Sequence, residues 1–89
     1  MITFLDSIEA QTVLVDLTKQ LNRLPYNSDL HRLHINLYGL ISELSKLEVY
    51  ARRAGPRSRW TIARNKKKAE IQTAMSYLAQ LLLIAQLMA

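Results

Sequence analysis

Residues 28–56 read SDLHRLHINLYGLISELSKLEVYARRAGP, and the spacing of their leucines decides the fold. Leu30, Leu33, Leu37, Leu40, Leu44, Leu47, Ala51 and Ala54 follow one another at alternating intervals of three and four. A helix turns once in 3.6 residues, so this alternation keeps the apolar side chains on one stripe, the seam along which helices pair. Ser28 reads as an N-cap, and Asp29 places an acid where the helix dipole favours negative charge. Arg52 and Arg53 in the last turn, followed by Gly55-Pro56, form the matching stop. A helix is expected over about 28–54. His34, Ile41 and Glu48 on one flank and Tyr50 on the other widen the stripe enough to meet two neighbouring helices. Gly39 sits mid-helix and off the seam, at a cost of about 1 kcal/mol relative to alanine. Either a close backbone approach, as between subunits, or a tolerated surface glycine accounts for it.

Two further helices flank this one. Ala10, Leu14, Leu17, Leu21 and Leu24 make a stripe with Leu5, Ile8 and Val15 beside it, predicting helix 1 over about 4–24, capped by Asp6 or Ser7 and stopped by Pro25. Helix 3 is expected over about 59–88, capped by Ser58. Its first turns are basic, and residues 71–89 carry no charge. There Ile71, Met75, Leu78, Leu82 and Ala85 form one stripe and Ala74, Leu81, Ile84 and Met88 another, the pattern of a helix buried on two faces. The fold class is all-α, a three-helix antiparallel bundle built on a long helix 2/helix 3 hairpin. Apolar surface exceeds what three such helices need, so self-association into a homo-oligomer is expected.

The composition supports this reading and excludes much else. The chain has 89 residues, 49% hydrophobic and 21% charged, enough for one domain with one core. With no Cys there is no disulfide framework, thiolate metal site or cysteine nucleophile. Two Gly and two Pro leave little material for β-turns or a phosphate-binding loop. His31 and His34 lie one turn apart, but no Cys or convergent acid completes a metal set. No catalytic constellation is visible, so a non-enzymatic protein without cofactor or metal is expected. No signal peptide precedes the first helix, which makes the expected location cytoplasmic. The uncharged C-terminal stretch behind Lys66, Lys67 and Lys68 has the length of a membrane anchor, yet Gln72, Thr73, Ser76, Gln80 and Gln86 oppose insertion.

Charge is distributed unevenly. Residues 1–51 hold six acids and four bases, whereas residues 52–89 hold eight bases and Glu70 alone. All eight bases fall between Arg52 and Lys68, a seventeen-residue window without an acid. Like charges so crowded repel one another, and an anionic partner relieves the repulsion; a solvated face that keeps the protein soluble is the plain alternative. Helix 1 is too short to cover the whole hairpin, so the tip over about 48–66 should project, bringing most of these bases and Trp60 to one end.

Arg52, Arg53, Arg57, Arg59, Trp60, Arg64, Lys67 and Lys68 are thus the candidate nucleic-acid or anion-binding residues. Arginine forks grip phosphate oxygens, and Trp60 either stacks on a base or plugs the end of the bundle. Arg64, Lys67 and Lys68, three and four residues apart, are expected to track one phosphate backbone. The leading expectation is a small protein that binds nucleic acid or another phosphate-rich ligand, a nucleotide included. The alternative is a protein-binding regulator, inhibitor or adaptor of the phage or mobile-element accessory type, acting through the leucine seam or the basic tip. A membrane-anchored small protein is the remote third reading.

Overall fold

A computed structural model describes residues 2–88, which form three helices in the order α1 (Ser7–Asn22), α2 (Ser28–Ala54) and α3 (Arg59–Met88). They pack as a rod about 48 Å long and 20 by 18 Å in section. α2 and α3 form an antiparallel hairpin, and α1 lies along part of it. Glu43 faces Lys67 and Tyr50 faces Trp60, so facing residue numbers in the hairpin sum to 110.

The core is a dry column of aliphatic side chains. Leu14 and Leu21 from α1, Leu37 and Leu44 from α2, and Ile71, Met75, Leu78 and Leu82 from α3 are all fully buried. Each contributes roughly 1.5–3 kcal/mol by leaving water. The α2 stripe is shifted from the simple seam. Leu30, Leu37, Ile41, Leu44 and Ala51 are buried, Leu33, Leu40 and Leu47 are half-buried, and Ala54 is exposed. The shift follows from α1, which packs on the flank carrying Ile41 and Glu48 and pulls the buried stripe toward it.

Helix termini differ from the sequence expectation in instructive ways. α1 starts at Ser7 rather than near Phe4 because Asp6 is an extended N-cap whose Oδ1 accepts the Glu9 N–H (2.9 Å). Glu9 reaches back and accepts the Leu5 N–H (2.6 Å), so Phe4 is buried from an extended lead-in. At its other end α1 stops at Asn22 rather than Leu24, where the Leu24 N–H turns back to the Leu21 carbonyl (3.1 Å) ahead of Pro25. The N-cap of α2 is Asn27, not Ser28: its Oδ1 accepts the N–H groups of Asp29 (3.0 Å) and Leu30 (3.2 Å). Asn is among the strongest caps, and it outcompetes the serine that follows.

The hairpin turn is held by several hydrogen bonds. Gly55 donates to the Ala51 carbonyl and sits at φ 94°, ψ 171°, a conformation open essentially to glycine. Ser58 caps α3 by accepting the Thr61 N–H (3.2 Å), as expected, and the Thr61 hydroxyl donates to the Gly55 carbonyl (2.7 Å). This last bond ties the start of α3 to the end of α2, and Thr61 is buried by it.

Glycine substitutions separate these two roles. A Cβ on Gly39 meets nothing within 4 Å, so Gly39→Ala should stabilise the fold by about 0.5–1 kcal/mol, read as a rise in Tm. Gly55→Ala places a Cβ on a positive-φ backbone and should destabilise by about 1–3 kcal/mol in urea unfolding.

Candidate anion-binding tip

The projecting end of the rod begins where α1 gives out. Ser7, the first residue of α1, donates its N–H to Glu48 Oε2 (2.8 Å) and its hydroxyl to Glu48 Oε1. Both carboxylate oxygens are thereby occupied, and α1 is fastened to α2 six residues before the helix ends. Beyond this clamp lie the last turn of α2, the Gly55-Pro56 turn and the start of α3, so the tip does project as the helix lengths require.

Within the tip the aromatic residues pair across the hairpin. The rings of Tyr50 and Trp60 lie 4.9 Å apart, inclined at 33°, and the Arg59 guanidinium carbon is 4.8 Å from the Trp60 ring centroid. Trp60 is only half-buried and Tyr50 is exposed, so the pair remains open to solvent rather than sealing the core. Tyr50 was read from sequence only as a flank of the α2 stripe. The hairpin register makes it the partner of Trp60, since residues equidistant from the turn face one another.

The bases divide into three groups. Arg53, Arg57, Arg59 and Lys66 are exposed on the last turn of α2, the connecting loop, the first residue of α3 and the second turn of α3. Arg52, Arg64 and Lys68 line one cleft of about 250 Å³ between the tip and the start of α1. Leu5, Ile8 and Leu44 form its apolar wall, and the two acids present, Asp6 and Glu48, are already engaged by the backbone of α1. Three cations therefore face two carboxylates, an excess of one positive charge, and none of the three forms an ion pair with them. Arg64 directs its Nε and Nη2 to Asn65 Oδ1 (3.2 and 3.0 Å), which fixes the guanidinium plane.

Lys67 departs from the expected arrangement. Its ammonium lies 3.0 Å from Glu43 and 3.3 Å from Glu70, the only ion pairs among the described residues. One residue along a helix is a rotation of about 100°, so Lys67 turns toward α2 while Arg64 and Lys68 turn toward α1. Lys67 is thus turned away from Arg64 and Lys68 and serves the α2–α3 packing. The Glu43 hydrogen bond, foremost, raises the Lys67 pKa above its ordinary 10.5; partial burial opposes this, and Glu70 adds to it. A pKa raised by folding stabilises fully below the ordinary value and fades as pH rises through the folded one, so the ion pair is intact at neutral pH.

A second cluster lies at the opposite end of α2. His31 stacks on Tyr26 (4.9 Å), and His34 meets both His31 and Tyr38 edge-on. Among the described residues no group of three His, Cys, Asp or Glu side chains is placed to hold a metal ion. No family model matches this sequence, and neither a curated protein nor a solved structure is significantly similar to it.

Two outcomes test this geometry. Glu48→Ala should cost about 1–3 kcal/mol, because the Ser7 donors lose a charged acceptor and the start of α1 is released, measurable as a lowered urea midpoint. Glu43→Gln should lower the Lys67 pKa toward 10.5, visible in a side-chain NMR titration, while changing stability by less than about 1 kcal/mol.

Proposed function

We propose that this is a non-enzymatic binding protein whose basic hairpin tip holds a phosphate-rich ligand, with nucleic acid as the leading candidate. The observation that carries the reading is the concentration of charge where the rod is uncovered. Eight bases without an intervening acid lie between Arg52 and Lys68, and Lys67 alone of them is ion-paired among the described residues. Charge left uncompensated in this way favours an anion from solution. Arg52, Arg64 and Lys68 offer a cleft for phosphate oxygens, and Arg53, Arg57 and Arg59 extend the positive surface around the turn. The exposed Tyr50–Trp60 pair adds a flat apolar face on which a base can stack beside those cations.

Docking of a partner helix on the α2 leucine seam is less favoured, because Leu30, Leu37 and Leu44 are buried within the chain. Base-specific reading is likewise not favoured, since no element of the tip has the form of a recognition helix backed by a second one.

The test is fluorescence anisotropy of labelled single- and double-stranded oligonucleotides across a salt series, with Trp60 emission followed in parallel. Binding should weaken by orders of magnitude as salt rises, and the emission should be quenched. An Arg57→Gln/Arg59→Gln/Arg64→Gln variant with unchanged circular dichroism should bind at least tenfold more weakly and show a shallower salt slope, by about 2–3 for three lost contacts. Absence of binding at low salt, or an unchanged slope in the variant, would overturn the proposal.

A further inference from the structure

α3 carries two seams on opposite faces, and only one is used within the chain. Ile71, Met75, Leu78 and Leu82 face inward and have no exposure. On the outer face Ala69, Thr73, Ser76, Gln80, Leu83 and Leu87 follow at intervals of four, three, four, three and four, again a heptad seam. Among the described residues Ile2 borders it at Ser76, Gln80 and Leu83, and the rest of it stands open. Leu83 is 57% exposed and Leu87 79%, and the flanking Tyr77 and Ile84 are 56% and 52% exposed. Sequence alone makes α3 a helix buried on two faces; in the folded chain Ile84 and Met88 of the second stripe stand in solvent.

We propose that this outer face is the two-fold interface of an antiparallel homodimer. The first argument is steric. In an antiparallel pair of α3 helices centred on residue 78, facing numbers sum to 156. Ala69 then meets the partner's Leu87, Thr73 meets the partner's Leu83, and Ser76 meets the partner's Gln80. Each large side chain faces a small one, and an amide faces a hydroxyl at the centre. The small residues already outline a shallow groove along Ala69, Thr73 and Ser76, bounded by Gln72 and Tyr77.

The second argument is area. A compact protein of 10.2 kDa exposes about 5,300 Å². This chain exposes 6252 Å². The excess of roughly 900 Å² belongs to the whole rod, and both the projecting tip and the open α3 face contribute to it. The third is electrostatic. Residues 69–87 contain one charged side chain, Glu70, so the overlap is nearly neutral, and the bases of both copies lie outside it. A parallel pair would instead set the two 64–68 segments side by side. The antiparallel dimer carries its basic tips at opposite ends, roughly 60 Å apart by helix rise.

Sedimentation equilibrium on the full chain at micromolar concentration should give twice 10.2 kDa. Leu83→Glu and Leu87→Glu change side chains that are exposed in the single chain, so each should keep the helical circular dichroism while weakening dimerisation at least tenfold. Orientation is testable because the chain has no cysteine of its own. Ala69→Cys mixed with Leu87→Cys should cross-link on oxidation, and so should Thr73→Cys with Leu83→Cys. Cross-linking of Ala69→Cys with itself would indicate a parallel pair and overturn the proposal. So would a monomer at 100-fold higher concentration. So would the apolar face being met instead by lipid, seen as uptake onto neutral phosphatidylcholine vesicles that Leu83→Glu abolishes, since α3 has the length and mean hydropathy of a membrane span.

Discussion

The α2–α3 interface is the contact on which everything else rests. Leu37 and Leu44 close against Ile71, Met75, Leu78 and Leu82, and this dry column fixes the register of the hairpin. A shift by one residue would rotate each seam by about 100° and expose it, so the pairing is strongly specified. Once it is set, Tyr50 must meet Trp60 and Glu43 must meet Lys67. The tip geometry is therefore a consequence of packing farther along the hairpin, not of interactions among the basic residues, which repel one another. The turn reinforces the register through the Thr61 hydroxyl bond to the Gly55 carbonyl.

α1 contributes in a different way. At 16 residues it is about half as long as α3, and the Ser7–Glu48 clamp marks where its cover ends. Its start supplies one wall of the cleft containing Arg52, Arg64 and Lys68, and its capping interactions occupy the local carboxylates. A helix that stabilises the lower part of the rod thus sets two carboxylates beside three cations at its upper edge. Core packing and surface charge are linked there: had α1 been two turns longer, the same bases would lie beneath a third helix.

The other two helices cover only part of the outside of the 30-residue α3. α3 spends one face on the internal core and keeps the other in solvent, although Tyr77, Leu83, Ile84 and Leu87 are large. It is on the exposure of these large side chains that the proposed dimer rests. The basic tip and the apolar strip occupy different segments of α3, so ligand binding at one need not compete with association at the other.

Much of this was legible in the residues themselves. The three–four alternation of leucines, the Pro25 and Gly55-Pro56 punctuation and the acid-free window from Arg52 to Lys68 are local patterns, and they determine three helices, their approximate limits and the basic end of the hairpin. Caps were less certain because Asn27 and Ser28, or Asp6 and Ser7, are chemically able to do the same work, and the chain geometry chooses between them. What only the tertiary structure decided was partnership across helices: Tyr50 with Trp60, Lys67 turned away to Glu43, and Glu48 closed on Ser7. It also decided that the stripe of Ile71, Met75, Leu78 and Leu82 on α3 is fully buried, whereas in the second stripe Ala74 and Leu81 pack against the core and Ile84 and Met88 stand in solvent. Periodicity places side chains on a face of their own helix, but which neighbour that face meets depends on register and on helix length in three dimensions, where a rotation of 100° separates a lysine that lines the cleft from one held in an ion pair.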